Sequence, residues 1–590
     1  MRHTFKFITG ACCLGIVIAG CSEWDDHYED TSAQTVNSAV TLWENISVLE
    51  AGQFSEFAAL AKRAGYDTVL TASQAYTLWA PVNGSISNFN ELMQMDVDRL
   101  RTEFIENHIA HNNYVASGAV DRTIVMLNKK VNHFYGDMAG YLLNGSPITK
   151  ANIPSKNGVI HALNGQMPFL PNIYESLDTL DERISDFSRL FHSFDHSQLN
   201  LAKSTPGPVV DGEITYLDSV TDKWNDLYDR FAAYINVEDS SYTMIVPTNR
   251  AFEDAMTRIR KYYNYVDHFT FRDNTSTNAQ LKHETDVNID GTYLHDSIVK
   301  RLMLRNLFVN NNIRDNRKLK SAANPLPDSL YTTTGTKLYK EDVDRLFEDA
   351  QRQEQSNGAT YVTDSIRLAD WTMGWCPFIR VEAENGGTRA NVFNGTALNQ
   401  FSRYDPELYP GLMRASGSAY LEVIPLSQSN NPEVDFYLPD VRSTTYAVYG
   451  VFVPDMASGV ARDSTEEGWG DWHYVNESKP NRVRVQMGYN NADGTAVETW
   501  FGSSRGSTTF DSNPEKIDTV YFGDFTFPIA YAYTGYQPFI RIESRVTNNN
   551  FDRTLRIDCV LLIPKELDEY LKENPEYEMD GWGKKRNNYY

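Results

Sequence analysis

Tyr76-Thr77-Leu78-Trp79-Ala80-Pro81-Val82-Asn83 is a short apolar run closed by Pro and Asn, and it returns as Tyr242-Thr243-Met244-Ile245-Val246-Pro247-Thr248-Asn249. Aromatic and β-branched residues bounded by turn formers predict a strand in each place. The recurrence predicts an internal repeat. Ahead of the first copy, Leu42, Ile46, Leu49 and then Phe54, Phe57, Leu60 fall at helical spacing, with Gly65 as a stop. A second helical stretch covers Val97 to His111, and the segment closes on Asn157-Gly158-Val159-Ile160-His161-Ala162-Leu163-Asn164, a turn dipeptide feeding a strand. In the second copy Val299 to Asn310 stands in the place of that helix and Asn357-Gly358-Ala359-Thr360-Tyr361-Val362-Thr363-Asp364 in the place of the closing strand. Both lack the histidines of the first. The interval from Tyr to the closing Asn grows from 81 to 115 residues, which predicts polar insertions such as 273–290 and 315–331. Long insertions of this kind often carry binding function.

The set Tyr76–Asn83, Asn107-His108-Ile109 and Asn157–Asn164, in this order, resembles the fasciclin domain. The resemblance implies a β-sandwich wrapped by helices over 36–172, a divergent second domain over 176–373, and a role in adhesion or protein–protein contact. From Trp375 the texture changes to short alternating strands parted by Gly, Asn, Pro and Ser, which predicts an all-β sandwich or jelly roll over 374–566. The fold class expected is therefore α+β fasciclin domains followed by an all-β jelly roll. Val381-Glu382-Ala383-Glu384, Ser418-Ala419-Tyr420-Leu421-Glu422-Val423 and Leu555–Ile563 resemble jelly-roll (galactose-binding-like) carbohydrate-binding modules. That resemblance implies that the first and last strands lie side by side and that Glu382, Glu384 and Asp558 supply a structural calcium site. The alternative is solvated carboxylates on alternating strands. After Pro564 a charged helical stretch leads into a tail, 567–590.

The amino terminus gives an address. Arg2 and Lys6 precede an uncharged run from Phe7 to Gly20, too short to span a bilayer, and Ile18-Ala19-Gly20-Cys21 resembles the lipobox of bacterial lipoproteins. The resemblance implies a signal peptide over 1–20, an acyl lipid (palmitate) on Cys21, and a tether over 21–35. Glu23, Asp25, Asp26, Glu29 and Asp30 crowd that tether and resemble the export signal that sends Bacteroidota lipoproteins to the outer face of the outer membrane. Loss of the signal takes Arg2 and Lys6 away and moves the net charge from −24 to −26. Such a surface disfavours nucleic acid and anionic headgroups as partners.

Catalytic motifs are missing: there is no Gly-x-Ser-x-Gly, no His-Glu-x-x-His and no phosphate loop. His108 and His111 have metal-ligand spacing without a third ligand, and His161 reads as a buried hydrogen-bonding residue. Cys376 and Cys559 are the two cysteines left after Cys21, enough for one disulfide but not a zinc site. Aromatic residues make up 12% of the chain, and Gly468-Trp469-Gly470-Asp471-Trp472-His473-Tyr474 and Trp500-Phe501 place rings in glycine-rich, polar surroundings. Trp469, Trp472, Tyr474 and Trp500 are the candidate ligand contacts, because flat faces beside polar groups suit sugars, peptides and partner loops alike. The function expected is a non-enzymatic surface lipoprotein that binds a glycan or peptide beside a TonB-dependent transporter. An adhesin without nutrient capture is the rival, and a glycoside hydrolase is the third reading.

Overall fold

In the computed structural model the described residues are 39–575 except 179–180, 211–212, 219, 273–283, 387–388, 402–414, 417–418, 456–459, 466, 475–477 and 504–505. The signal, Cys21, the acidic tether and the end of the tail lie outside them. The chain divides into two compact units, one of residues up to 172 with 236–239 and 355–357, the other of 173–235, 240–354 and 358–590.

The first unit is built on a seven-stranded sheet in the order Ile109–His111, Tyr76–Pro81, Gly158–Leu163, Ser146–Ser155, Gly140–Leu143, Val131–Asp137, Val120–Val125. Tyr76–Pro81 is buried on both faces: Leu78 meets Phe54, Phe57 and Leu60, while Trp79 belongs to a second cluster with Phe134 and Leu163. Phe54, Phe57 and Leu60 share one face of the helix Ala51–Arg63 because residues three and four apart stack along a helix. Leu42 and Ile46 are buried as their spacing predicts, but Leu49 is 64% exposed, at the end of a wider helical turn over Asn45–Leu49. The predicted helix from Val97 stops at His108, and Ile109–His111 is a strand.

The second unit opens with the repeat. Tyr242–Pro247 runs antiparallel to Phe308–Asn310 and parallel to Gly358–Thr363. The register is that of the first unit: Tyr76 faces Gly158 and Tyr242 faces Gly358, each through six paired residues. Side chains explain the shared motif. Asn83 accepts from Glu56 N–H at 3.0 Å and donates to Gly52 O at 3.1 Å; Asn249 accepts from Asp186 N–H at 3.0 Å and donates to Glu182 O at 2.8 Å. In both copies the Asn after the strand bonds backbone groups of an earlier helical segment, Ala51–Arg63 in the first and the turns that open Ser185–His192 in the second. Between Tyr242 and Asn357 the second copy carries the strand pairs His268–Arg272 with Glu284–Asn288 and Ser329–Tyr331 with Lys337–Tyr339.

The rest of that unit is a sandwich of two antiparallel sheets. One orders Gly395–Phe401, Ala419–Pro425, Leu555–Pro564, Thr445–Phe452 and Asp518–Thr526, with Ile379–Glu382 also on Leu555–Pro564. The other orders Arg389–Phe393, Glu433–Tyr437, Phe539–Ser544, Arg482–Asn490 and Ala496–Trp500. Val423, Val448, Val560 and Leu562 from the first sheet meet Val434, Phe436, Val485 and Ile542 from the second. The α+β repeats followed by an all-β sandwich are the expected fold class. Repeat and sandwich are stitched together where Tyr263 Oη donates to Trp375 O at 2.9 Å and buried Arg442 Nε donates to Tyr263 Oη at 3.2 Å. Cys376 and Cys559 are both buried free thiols, so the possible disulfide does not form.

Candidate functional site

The two outward faces of the sandwich have opposite chemistry. Ala447, Tyr449, Val451, Leu561 and Ile563 make the outer face of the six-stranded sheet apolar, and the helix Lys565–Glu573 covers it with Leu567 and Leu571. Tyr449 Oη donates to the buried carboxylate of Asp568 at 2.7 Å, which fixes that helix in place. The other sheet alternates apolar residues inward with charged and aromatic ones outward: Glu433, Asp435, Phe539, Arg541, Glu543, Arg484 and Trp500.

On this face the charges are paired and framed by rings. Arg541 donates to both oxygens of Asp435, Nε at 2.7 and Nη2 at 2.8 Å, and its guanidinium lies 5.3 Å from the Phe393 ring and 5.8 Å from that of Phe539. Arg484 donates to both oxygens of Glu543, at 2.6 and 2.7 Å, and lies 4.4 Å from the Trp500 ring. Such two-pronged pairs fix donor and acceptor directions, and an indole face attracts a guanidinium. Burial works against the Arg541 charge, but its bonds to Asp435 and the nearby Glu433 and Glu498 outweigh it and hold the group above its ordinary value. Burial, then the neighbouring Glu543, lifts the Glu433 carboxyl above the usual range. The charges on this face are therefore paired within the protein, and Asp435, Glu543, Phe393 and Phe539 are buried there, while Arg484 and Trp500 are part-exposed.

Of the predicted contacts, only Trp500 has a described side chain, and it sits on this face. Phe501 beside it points the other way, into the core. Gly468–Tyr474 is not the open loop its glycines suggest but a strand paired with Val460–Thr465. The side chains of Trp469, Trp472 and Tyr474 lie outside the described residues. Arg541, Asp435, Arg484, Glu543, Phe393 and Phe539 were not singled out from sequence. The signal was the alternation of charge with apolar residues in Glu433–Tyr437, Arg482–Gln486 and Phe539–Glu543.

Glu382, Glu384 and Asp558 lie where the resemblance implies, since Ile379–Glu382 pairs with the last strand and Glu382 faces Cys559. Ser416 donates to both Asp558 Oδ1 and Glu382 Oε2, at 2.9 and 2.5 Å, while Arg380 Nε lies 2.7 Å from Glu382 Oε1. Burial, then Glu382, pushes the Asp558 carboxyl well above its ordinary value; burial also raises Glu384, whose buried Oε2 has no hydrogen-bond partner among the described residues. The orphaned oxygen is what a cation would satisfy. Among the described residues, however, no group of three or more His, Cys, Asp or Glu is spaced to hold a metal ion. Arg380 and Ser416 engage Glu382, and Ser416 also engages Asp558.

The histidines serve the fold. His108 Nδ1 lies 2.7 Å from Phe104 O and its Nε2 accepts from Met167 N–H at 2.9 Å, while His161 Nε2 lies 2.8 Å from Tyr114 O. Burial pushes each down to about 4, only partly offset by those carbonyls. His111 is exposed and stacks on Tyr76 at 5.4 Å.

Residues 52–167 match the family model for the fasciclin domain. That domain is an adhesion domain with no catalytic role of its own, and it is the part of this chain in which both buried histidines lie. Among solved structures, the chain is similar to a fasciclin domain pair from an insect cell adhesion molecule, at 12% identity over 55% of this chain and 99% of that one, with a TM-score of 0.19. It is similar to a family 22 carbohydrate-binding module of Clostridium thermocellum, at 12% identity over 32% of this chain and 94% of that one, with a TM-score of 0.18. A Paenibacillus xanthan lyase is matched at 14% identity over 36% of this chain and 16% of that one, with a TM-score of 0.20. Among curated proteins none matches.

Proposed function

We propose that this protein is a lipid-anchored outer-membrane protein that captures a glycan on the outer face of the sheet that carries Arg484 and Arg541, as an accessory to a TonB-dependent uptake complex. The observation that carries the ligand half is the contrast between the two outer faces: one is apolar and covered by a helix, the other is lined with paired charges and rings. A neutral polyhydroxyl ligand uses fixed donors, acceptors and ring faces without needing unpaired charge. A charged peptide would need an unneutralised partner, and Arg541 and Arg484 are already engaged by Asp435 and Glu543. The lipobox at Cys21 and the acidic stretch after it support the anchor, and the fasciclin match supports contact with a partner protein. Among the described residues no helix is long and apolar enough to cross a membrane.

The test is calorimetry of the full-length chain against neutral hexasaccharides and acidic and basic peptides, alongside Trp500→Ala. Binding of a hexasaccharide that weakens in the variant is expected; binding of peptides alone overturns the glycan reading. Cys21→Ser should release the protein from the membrane fraction. Co-purification of the anchored protein with an outer-membrane transporter is expected, and recovery with other surface proteins alone would favour the adhesin.

A further inference from the structure

Ahead of the strand Tyr242–Pro247, Asp195–Leu199 pairs antiparallel with Thr221–Asn225, and the second of these strands leads straight into the short helix Asp226–Phe231. The pairing sets His196 opposite Trp224, and their rings stack at 5.3 Å with 22° between the planes. His196 thus backs one face of the indole, while Trp224 stays 43% exposed. Past the helix, Ala232 turns the chain with φ +49°, and Ala233 N–H donates to Tyr228 O at 3.0 Å. That turn brings Tyr234 back over the helix, 6.2 Å from the buried ring of Tyr228 and itself 43% exposed. Both exposed rings are therefore held by neighbours.

An open cleft of about 640 Å³ is lined by Trp224, Asp226, Tyr228, Asp229, Arg230 and Tyr234. That volume is in the range of sites that take a ligand or an anchoring side chain. Residues four apart on a helix lie side by side, so Asp226 and Arg230 are placed to pair, with Asp229 adjacent. They do not pair. Asp226 Oδ2 lies 2.9 Å from His196 Nε2, and Asp229 accepts from the Tyr234 hydroxyl. Arg230 is exposed and has no ion-pair or hydrogen-bond partner among the described residues. A hydroxyl satisfies an acceptor without neutralising it, so Asp229 and Arg230 stand in one cleft as an anion and a cation that do not cancel.

A ligand of one sign is drawn by one of these groups and opposed by the other. A neutral ligand covers both and leaves neither with an opposite charge in place of the water it loses. We infer that this cleft binds a peptide segment of a partner protein in which a basic side chain stands next to an acidic one. The basic group lies against the Trp224 and Tyr234 rings and meets Asp229, and the acidic group takes the two-pronged bond that a guanidinium offers from Arg230. A chain of net charge −24 also favours the approach of a segment rich in basic residues. The inference goes beyond the glycan reading, since no residue of the cleft belongs to the sheet face and the occupant is a protein.

Calorimetry of the full-length chain with blocked peptides in which Lys alternates with Glu, Lys with Gln, or Glu with Gln tests it. The Lys–Glu peptide should bind about tenfold more tightly than either of the others. Arg230→Met should bring the Lys–Glu to Lys–Gln ratio toward one. Trp224→Ala should weaken the Lys–Glu peptide about tenfold, and Trp224→Phe, which keeps a ring, should retain most of the affinity. Trp500→Ala, on the sheet face, should leave peptide binding unchanged. No binding of the Lys–Glu peptide, equal binding of the three, or a preference unmoved by Arg230→Met overturns the inference. A hexasaccharide bound through Trp224 in place of the peptide also overturns it, whereas loss of hexasaccharide binding in Trp500→Ala bears on the sheet face alone. Thermal melts identify a variant that has lost its fold, and Arg230→Met then carries the result, because it removes an exposed side chain that holds no partner.

Discussion

The guanidinium of Arg541 closes on the carboxylate of Asp435 through two hydrogen bonds, on a side chain with no solvent exposure at all. Removing one partner of a buried pair leaves the other charge uncompensated, which costs about 3–5 kcal/mol. Arg541→Ala should therefore destabilise the second unit by about 3 kcal/mol in urea unfolding. Arg541→Lys keeps the charge but loses the fork and should fall between. A loss below about 1 kcal/mol for Arg541→Ala would mean that the pair is effectively solvated.

Gly158 and Gly358 should resist substitution in parallel. A Cβ at Gly158 would lie 2.1 Å from Tyr76 O, and one at Gly358 would lie 1.9 Å from Tyr242 O. Each Ala must push the paired strands apart, at a cost above about 1 kcal/mol. Gly52→Ala is the control: it lies inside the helix Ala51–Arg63 with no atom within 4 Å of a new Cβ, and should be neutral or stabilising by about 0.5–1 kcal/mol. Thermal melts that rank Gly52→Ala with the other two would refute the strand argument.

Acid should weaken the first unit. His108 and His161 are held at about 4 by burial, below the ordinary 6.5. The unfolded chain then binds more protons, so their contribution is complete above pH 6.5 and is lost as pH falls toward 4, about 3 kcal/mol each. His161→Gln should flatten the pH dependence of the first unit's melting temperature between pH 7 and 4.5. An unchanged slope would contradict the buried, neutral assignment.

The carboxylates near the last strand pull the other way. Asp558 and Glu384 are raised by burial, so the folded state binds the extra protons. Their contribution favours the fold below the ordinary carboxylate range and is lost as pH rises through the raised values. Asp558→Asn should remove this loss at neutral pH. Because Arg380 and Ser416 already engage Glu382, the melting midpoint should be the same in calcium and in chelator; a drop in chelator would assign a cation to Glu382, Glu384 and Asp558.

Strands and repeats were readable because their signals are local. Tyr76–Asn83 and Tyr242–Asn249 carry apolar runs and turn formers that act within a few residues, and the Asn-Gly dipeptides mark the turns that return to them. Leu49 and the strand Gly468–Tyr474 misled for the opposite reason. Helical spacing does not say where a helix widens, and glycines flanking a tryptophan do not say whether a second strand lies alongside.

The sequence by itself determined the repeat and the strand-rich third segment, since periodicity and turn chemistry are properties of neighbouring residues. Tertiary structure alone decided which face of the sandwich the helix Lys565–Glu573 covers. It also decided that Arg541 meets Asp435 and that Thr270 meets Gly494. Those partners are distant along the chain, and side-chain alternation fixes only the face on which each residue appears. Packing chooses the partner it finds there.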